Sequence, residues 1–461
     1  MIYFASSPIR KRCPVALLAA VLVLSFVSYA PAAELQRTNR DDRALDQFIR
    51  GAVADEMEDR YRAVFYYQEA LRYDSTSGFI YVALSHDYAL LGNTVLAEEL
   101  LNKALKVHPD YISALELQSI LYKREGRLTA ARDALKRLVD LAPDDPNYAQ
   151  QLLSVEFGLG NYDEGERLYD RIVRKEGESE LMSRQVLGVY MSAKQYDRAI
   201  KLLKTLLSKD STDAALHYAL GTCYLQKGDS TQGLILIRDA NRIDPEEPRY
   251  WTGLAIVSLD RRQYEQTVSI VDSAVFHAAP TAGLLSIKGT ALNRLGRPHD
   301  AILALREAIS LDSTLYVAMG TLALIYDEAD SVQQAVDLYE AAIRLSDSSA
   351  VYLNNLAYTL ASRGLELEKA GVLVQRALKD DPKNSSFLDT MGWVKFGLGD
   401  YDEAIRWLKL AARETPDAAT VLEHLGDAYA KSGSPGKAAK CYERALKIDP
   451  NNQVLRAKLG H

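Results

Sequence analysis

Cysteine is scarce in this 461-residue sequence, which contains only Cys13, Cys223 and Cys441. Cys13 precedes a long apolar run, whereas the cysteine of a lipoprotein follows such a run, so we expect no lipid anchor. Cys223 and Cys441 are far apart along the chain. So few cysteines do not make the dense pattern of a disulfide-stabilised secreted domain, and the sequence argues against a disulfide framework.

Motifs for catalysis and metal binding are also missing. None of the seven histidines has a second histidine at H-E-x-x-H or other metal-ligand spacing, and no G-x-S-x-G nucleophile motif occurs. The segment GSPGK at 433–437 resembles a phosphate-binding loop, but Ala438 stands where a Ser or Thr would bind magnesium. We therefore predict a non-enzymatic protein with no catalytic residue, no metal site and no cofactor.

Long apolar runs are absent apart from residues 15–30. This run follows the basic segment RKR at 10–12 and ends in an A-P-A pattern at 30–32, which is the layout of a signal peptide over 1–32. The run has sixteen residues, fewer than the roughly 20 apolar residues that a membrane-spanning helix needs. An uncleaved N-terminal anchor is therefore the alternative and not the leading prediction. We expect an exported protein, periplasmic or secreted, with no integral membrane span after cleavage.

Positive charge is not in excess. The chain has 55 Lys and Arg against 62 Asp and Glu, and residues 1–32 contain three of the basic residues and none of the acidic ones. The predicted mature chain therefore has 52 basic and 62 acidic side chains, a net charge of −10. Phosphate contacts need a basic face, so nucleic acid is not an expected partner.

What the sequence does have is a period of 34 residues. LDTMGWVKFGLGDYDEAIRWLKLAARETP at 388–416 returns as LEHLGDAYAKSGSPGKAAKCYERALKIDP at 422–450. The same phase extends backward through twelve copies, and ten of the twelve residues equivalent to Gly392 are Gly, Ala or Ser. A single extra residue lies between Ala357 and Ala370, where a turn is the best place for it.

Each copy is predicted to form two helices, because apolar residues recur at spacings of three and four. Eight copies have a glycine at the joint between the helices, where a left-handed C-cap is expected: Gly92, Gly126, Gly160, Gly228, Gly296, Gly364, Gly399 and Gly433. Six copies have a proline that should stop the second helix: Pro109, Pro143, Pro245, Pro382, Pro416 and Pro450. Each helix pair leaves an apolar face that only a neighbouring copy can cover.

This pattern resembles the tetratricopeptide repeat (TPR) family over about nine-tenths of the chain. The likeness rests on the 34-residue period, the small-x₂-Tyr motif, the two later alanines and the proline, and Trp251 matches the family's tryptophan. The resemblance implies an all-α TPR solenoid, a right-handed superhelix of about twelve helix-turn-helix repeats. The expected parts are a signal peptide at 1–32, a short lead at 33–43, repeats at 44–77, 78–111, 112–145, 146–179, 180–213, 214–247, 248–281, 282–315, 316–349, 350–384, 385–418 and 419–452, and a partial C-terminal helix at 453–461.

The resemblance also implies a scaffold that binds proteins or peptides. The final copies resemble those of exported bacterial TPR proteins, so the leading hypothesis is an adaptor in a bacterial envelope complex. The alternative is an accessory or regulatory subunit of a periplasmic enzyme or secretion machine. Chaperone-binding TPR domains use a lysine at the fifth position of a repeat, and none of the twelve copies has one.

In the family, the fifth and ninth positions of the first helix line the ligand surface. In the last three repeats these positions are Asn354, Tyr358, Asp389, Trp393, Glu423 and Asp427. Residues four apart share one helix face, so each pair should lie together. We predict that this set binds the partner, and its rings and carboxylates favour a basic or Arg-containing peptide. The alternative is that the rings pack between repeats and the acids are ordinary solvated residues.

Repeats four and five, residues 146–213, depart from the pattern. The small position holds Leu153 and Leu187, and large side chains there should push helices apart or change their angle. Gly177 replaces the terminating proline within the charged segment RKEGESE. We therefore predict a local change of curvature or a hinge in this part of the array.

Overall fold

The structure, a computed structural model, describes residues 39–460, and every regular element in that range is an α-helix. The predicted signal peptide lies outside the described residues. The helices are α1 (Asn39–Glu56), α2 (Arg60–Tyr73), α3 (Gly78–Leu90), α4 (Thr94–Val107), α5 (Ile112–Arg124), α6 (Leu128–Leu141), α7 (Pro146–Gly158), α8 (Tyr162–Glu176), α9 (Glu180–Ser192), α10 (Tyr196–Lys209), α11 (Ala214–Gln226), α12 (Ser230–Ile243), α13 (Pro248–Asp260), α14 (Tyr264–His277), α15 (Ala282–Arg294), α16 (Pro298–Leu311), α17 (Tyr316–Glu328), α18 (Val332–Leu345), α19 (Ala350–Ser362), α20 (Leu367–Asp380), α21 (Ser385–Gly397), α22 (Tyr401–Glu414), α23 (Ala419–Lys431), α24 (Pro435–Ile448) and α25 (Gln453–Lys458).

These helices form successive packed pairs, which confirms the all-α fold of helix-turn-helix units. An odd-numbered helix is the first of its pair, and a three-residue turn leads to the second helix. The turn between α19 and α20 is residues 363–366, one residue longer than the others, and Glu366 in it is left-handed. The extra residue that the repeat alignment placed between Ala357 and Ala370 is therefore in a turn, as predicted.

Local sequence signals explain where the helices end. All eight joint glycines have positive φ, for example 83° at Gly92 and 78° at Gly433, so they form the predicted left-handed caps. Each of the six prolines lies two residues beyond the end of a second helix, because a residue before proline disfavours the helical conformation. Several second helices also begin at an Asp or Asn whose side chain accepts from a backbone N–H, as Asp229 does from Gln232.

Small residues allow the two helices of a pair to approach closely. A Cβ atom on Gly221 in α11 would lie 2.9 Å from the carbonyl oxygen of Gly233 in α12, so only glycine fits this crossing. The alanines at the equivalent of Gly233, such as Ala301 and Ala404, are fully buried. The apolar core therefore runs through the helix pairs, with Leu, Tyr and Val side chains filling the space around these contacts.

The chain divides into two compact units, Met1–Ser183 and Arg184–His461. The division falls in α9, inside the segment 146–213 for which the sequence predicts an irregularity; the helix angles there stay a prediction. Leu153 and Leu187, the large residues at the small position, are both buried. No helix within residues 39–460 is both long and apolar enough to cross a membrane.

Candidate functional site

The six residues predicted to bind a partner lie on three first helices of the second unit. We call them the C-terminal cluster: Asn354 and Tyr358 on α19, Asp389 and Trp393 on α21, and Glu423 and Asp427 on α23. The structure brings four of them into two contact groups, each completed by a residue that the sequence prediction did not include. Tyr358 lies at the edge of the first group, and Asn354 is one helical turn before it.

The first group is centred on His424 of α23. Its Nδ1 lies 3.0 Å from both carboxylate oxygens of Asp389, and both side chains are almost fully buried. A carboxylate accepts, so this nitrogen carries the proton. The His424 ring also stacks on Trp393 at a centroid distance of 4.1 Å, and the other face of Trp393 stacks on Phe396 at 4.6 Å. The result is a stack of three flat rings whose end is held by Asp389.

Tyr358 and Asn354 extend this group along α19. The Tyr358 ring is half-buried and lies 6.3 Å from the His424 ring. Burial, followed by the nearby Asp389 carboxylate, raises the pKa of the Tyr358 phenol above its usual range, so it stays a neutral hydroxyl. Asn354 is 7% exposed, and its Oδ1 has no hydrogen-bond partner. It is a buried acceptor with an unused lone pair.

The second group is centred on Lys458, near the end of α25. Its Nζ donates to Glu423 Oε1 at 2.7 Å and to Asp427 Oδ2 at 2.8 Å. The other oxygen of Asp427 accepts from the Tyr442 hydroxyl at 2.8 Å. Burial lowers the pKa of the Lys458 ammonium, but its hydrogen bonds to Asp427 and Glu423 outweigh that effect, so the net pKa is raised. The ammonium is therefore charged at neutral pH.

His424 and Lys458 were missed because the sequence prediction considered only the fifth and ninth positions. Both residues occupy the sixth position of the following repeat, 35 residues after Asp389 and Glu423 respectively. A search for basic residues 35 positions after each acid would have found both. The three carboxylates of the cluster are therefore each within hydrogen-bonding distance of a side chain from the next repeat, rather than open to solvent as a purely acidic surface.

The cysteine thiols are not suited to nucleophilic chemistry. Cys223 and Cys441 are both buried and form no disulfide. Burial raises the pKa of Cys223 to about 11 and also raises that of Cys441, where Arg444 opposes the change. Both thiols are therefore protonated at neutral pH, and a thiol in that state is a poor nucleophile.

One group of possible metal ligands occurs within residues 39–460, in the first unit. Atoms of Asp55, His86 and Asp87 lie within 4.8 Å of one another. The guanidinium of Arg60 contacts the Asp55 carboxylate and lies 3.7 Å from Asp87. A positive charge from the chain itself is therefore already placed between the two carboxylates, and the group carries no metal assignment.

Comparisons with known proteins agree on the kind of repeat. Two family profiles, both described as "Tetratricopeptide repeat", match residues 190–257 and residues 82–146, 288–350 and 390–453. The TPR repeat-containing protein MJ1428 of Methanocaldococcus jannaschii is 20% identical over 414 residues, which cover 84% of this chain and 72% of the relative.

Two further similarities are to a subunit of a complex and to a hetero-tetramer. Human anaphase-promoting complex subunit 7 is 25% identical over 245 residues, and the match covers 50% of this chain and 43% of the relative. This chain thus spans less than half of that protein. The crystal structure of the APC/C hetero-tetramer Cut9-Hcn1 is similar with a TM-score of 0.46 at 15% identity, covering 91% of this chain and 96% of the other.

Proposed function

The chain belongs to the tetratricopeptide repeat family, whose members generally mediate protein–protein interactions, and on that premise we propose that it is a non-enzymatic scaffold that binds a protein partner through its C-terminal cluster. The partner's segment lies across α19, α21 and α23, beside Tyr358 and the ring stack. Half-buried rings of this kind are frequent energetic centres of protein interfaces.

The observation that carries this proposal is the open acceptor on Asn354. A buried polar group without a hydrogen bond costs about 1–3 kcal/mol, so such a group calls for an explanation. The Thr390 hydroxyl, at the sixth position of the next repeat, does not satisfy it, because it donates to the Ser386 carbonyl at 2.9 Å. An amide N–H from a bound peptide would supply the missing donor to Asn354.

The test separates binding from stability with Asn354→Leu. Leucine has the same branching at Cγ and removes the unsatisfied acceptor, although it is larger, so the stability of the free protein should stay within about 1 kcal/mol of the wild type. Binding of the partner, isolated by crosslinking and affinity purification from the native host, should weaken by about tenfold or more, which corresponds to the loss of about 1.4 kcal/mol.

Trp393→Ala should also weaken binding, by at least about 2 kcal/mol if the ring is an interface centre. Its matched control is Trp251→Ala, because Trp251 is also half-buried and also stacks on a histidine, His277, at 5.8 Å. The control removes a tryptophan at similar structural cost in a different repeat. Equal binding by Trp393→Ala, Asn354→Leu and the wild type would place the partner elsewhere on the protein.

We further propose that this binding takes place in a bacterial envelope complex, with residues 1–32 acting as a removable signal peptide. The support is the sequence pattern of those residues and the net negative charge of the remainder. Intact mass of the protein from its native host tests the proposal, and we expect the mature chain to begin at Ala33. A chain that keeps residues 1–32 in the membrane fraction would favour an N-terminal anchor instead.

A further inference from the structure

Lys458 makes contacts that resemble those of a bound ligand. Its ammonium donates to two carboxylates, Glu423 and Asp427, and lies 5.6 Å from the centroid of the Tyr442 ring. The two carboxylate side chains are 20% exposed and the Lys458 side chain is 27% exposed, so these contacts are partly shielded from water. Two acidic acceptors and the face of one aromatic ring are a favourable environment for a primary ammonium.

Helix α25, which carries Lys458, buries little of its surface. Helix α25 has six residues, and Leu455 is its single buried residue. Short helices with few buried apolar contacts are marginally stable, and their local opening has a small free-energy cost. The Lys458 side chain is also 27% exposed and has a flexible four-carbon stem, so its head group can leave the carboxylates without unfolding the repeat.

Replacement by another ammonium would keep every hydrogen bond of the subsite. Removing Lys458 alone would leave two partly buried carboxylates without a cation, which is unfavourable. If a lysine of a partner enters as Lys458 leaves, the same two acceptors keep one cation between them. The exchange is therefore close to balanced within the subsite, and contacts elsewhere along the partner can decide it.

We propose that Glu423, Asp427 and Tyr442 form a subsite for a lysine side chain of the protein partner, and that Lys458 occupies this subsite in the free protein. The inference rests on the proposed function and refines its ligand. Lysine fits better than arginine because Asp427 Oδ1 already accepts from the Tyr442 hydroxyl. Asp427 therefore shares one of its two oxygens with Tyr442, so it suits a point-like ammonium better than a two-pronged guanidinium.

The test uses the full chain and three probes: tetralysine, tetra-arginine and tetra-acetyllysine peptides, each with blocked ends. Lys458→Met should bind tetralysine about tenfold more tightly than the wild type, because an internal competitor that fills the subsite about nine-tenths of the time reduces the apparent affinity by that factor. Lys447→Met is the matched control, since Lys447 is exposed on the neighbouring α24 and the net charge changes equally. Tetra-acetyllysine should not bind.

Three results would overturn the inference: equal tetralysine affinity in Lys458→Met and Lys447→Met, an equal gain for tetra-arginine, or no loss when Asp427→Asn is added to Lys458→Met. A second measurement uses the wild-type protein, so it does not require any variant to fold. Saturating tetralysine should speed amide hydrogen exchange in residues 453–460. An unchanged rate of amide hydrogen exchange would also contradict the replacement of Lys458 by a lysine of the partner. The proposed function is tested separately, by the affinity of the native partner for the Asn354→Leu and Trp393→Ala variants.

Discussion

At the residue scale, Asp87 is the side chain most at odds with its position in the repeat. Nine of the eleven equivalent residues in other copies are buried, and most of them are apolar, for example Leu121, Val155 and Val257. Asp87 is equally buried, neither of its carboxylate oxygens has a hydrogen-bond partner, and Arg60 is the nearest cation at 3.7 Å. Burial raises the pKa of Asp87 to about 6, with Arg60 opposing the change.

This pKa predicts a pH-dependent cost to stability. The folded state binds the Asp87 proton more tightly than the unfolded state does, so the contribution of Asp87 to stability is greatest below the ordinary pKa near 4 and is lost as the pH rises to about 6. Asp87→Asn should therefore stabilise the protein by about 2–3 kcal/mol above pH 6, because a folded-state pKa of about 6 means that ionising Asp87 costs roughly that much more in the folded than in the unfolded protein.

Near pH 4 the Asp87→Asn variant and the wild type should unfold at nearly the same denaturant concentration. Chemical denaturation at pH 4 and pH 7.5 checks both halves of this prediction. The control is Asp417→Asn, because Asp417 is exposed in the turn between α22 and α23. If Asp87→Asn raised the free energy of unfolding equally at both pH values, the Asp87 proton would not be responsible.

A second prediction at this scale concerns the close helix crossing at Gly221. A Cβ there would lie 2.8 Å from Ile237 Cγ1 and 2.9 Å from the Gly233 carbonyl oxygen, so Gly221→Ala should destabilise the fold by about 1–3 kcal/mol. Gly188→Ala is the control, since nothing lies within 4 Å of a Cβ at that helical position. It should be neutral or stabilise by up to about 1 kcal/mol through helix propensity. Thermal unfolding of both variants tests this prediction. Similar changes in stability for Gly221→Ala and Gly188→Ala would contradict the argument from the close helix crossing.

At the element scale, the joint between α8 and α9 differs from the other joints that follow a second helix. It is residues 177–179, it contains no proline, and Gly177 has positive φ at its start. Seven of the other eleven joints of this kind contain a proline, which limits the backbone there. The division between the two compact units also falls in α9, a few residues later.

We expect limited proteolysis with a glutamate-specific protease to cut first after Glu176 or Glu178. Exposed, proline-free backbone at a boundary between compact units opens more readily than backbone inside a helix pair. Mass spectrometry of the first fragments checks the site, and the double variant Glu176→Gln, Glu178→Gln should slow the first cut. First cuts at the proline-containing joints would refute the prediction of a weak point in repeats four and five.

At the scale of the whole molecule, the helix pairs within each compact unit pack on their neighbours, so stability should be distributed along the array. Ending the chain after Ala418 or after Asn384 removes whole pairs and exposes only the face they covered, which after Ala418 includes Ala404 and Leu408. We expect folded, helical remainders of reduced stability, measured by circular dichroism and protease resistance. Loss of all helical signal in either truncation would indicate one indivisible core.

Much of the fold was predictable because the signals are local. A left-handed glycine, a proline beyond a helix and one extra residue in a turn all act through backbone conformation within a few residues, so the repeat pattern located the helix joints correctly. The candidate site was predictable only as far as its helix positions. All six residues of the C-terminal cluster lie on first helices, as the resemblance implied. Their partner-binding role stays a prediction.

The sequence by itself determined the helix pairs and the all-α class, since 34-residue periodicity, caps and helix stops depend on the local chain. Only the tertiary structure decided which side chains meet across repeats, because that depends on how one first helix is placed against the next. That placement sets His424 against Asp389 and Lys458 between Glu423 and Asp427. It also leaves Asn354 without a donor and buries Asp87. A surface expected to be openly acidic is therefore one whose carboxylates already have partners from the chain itself.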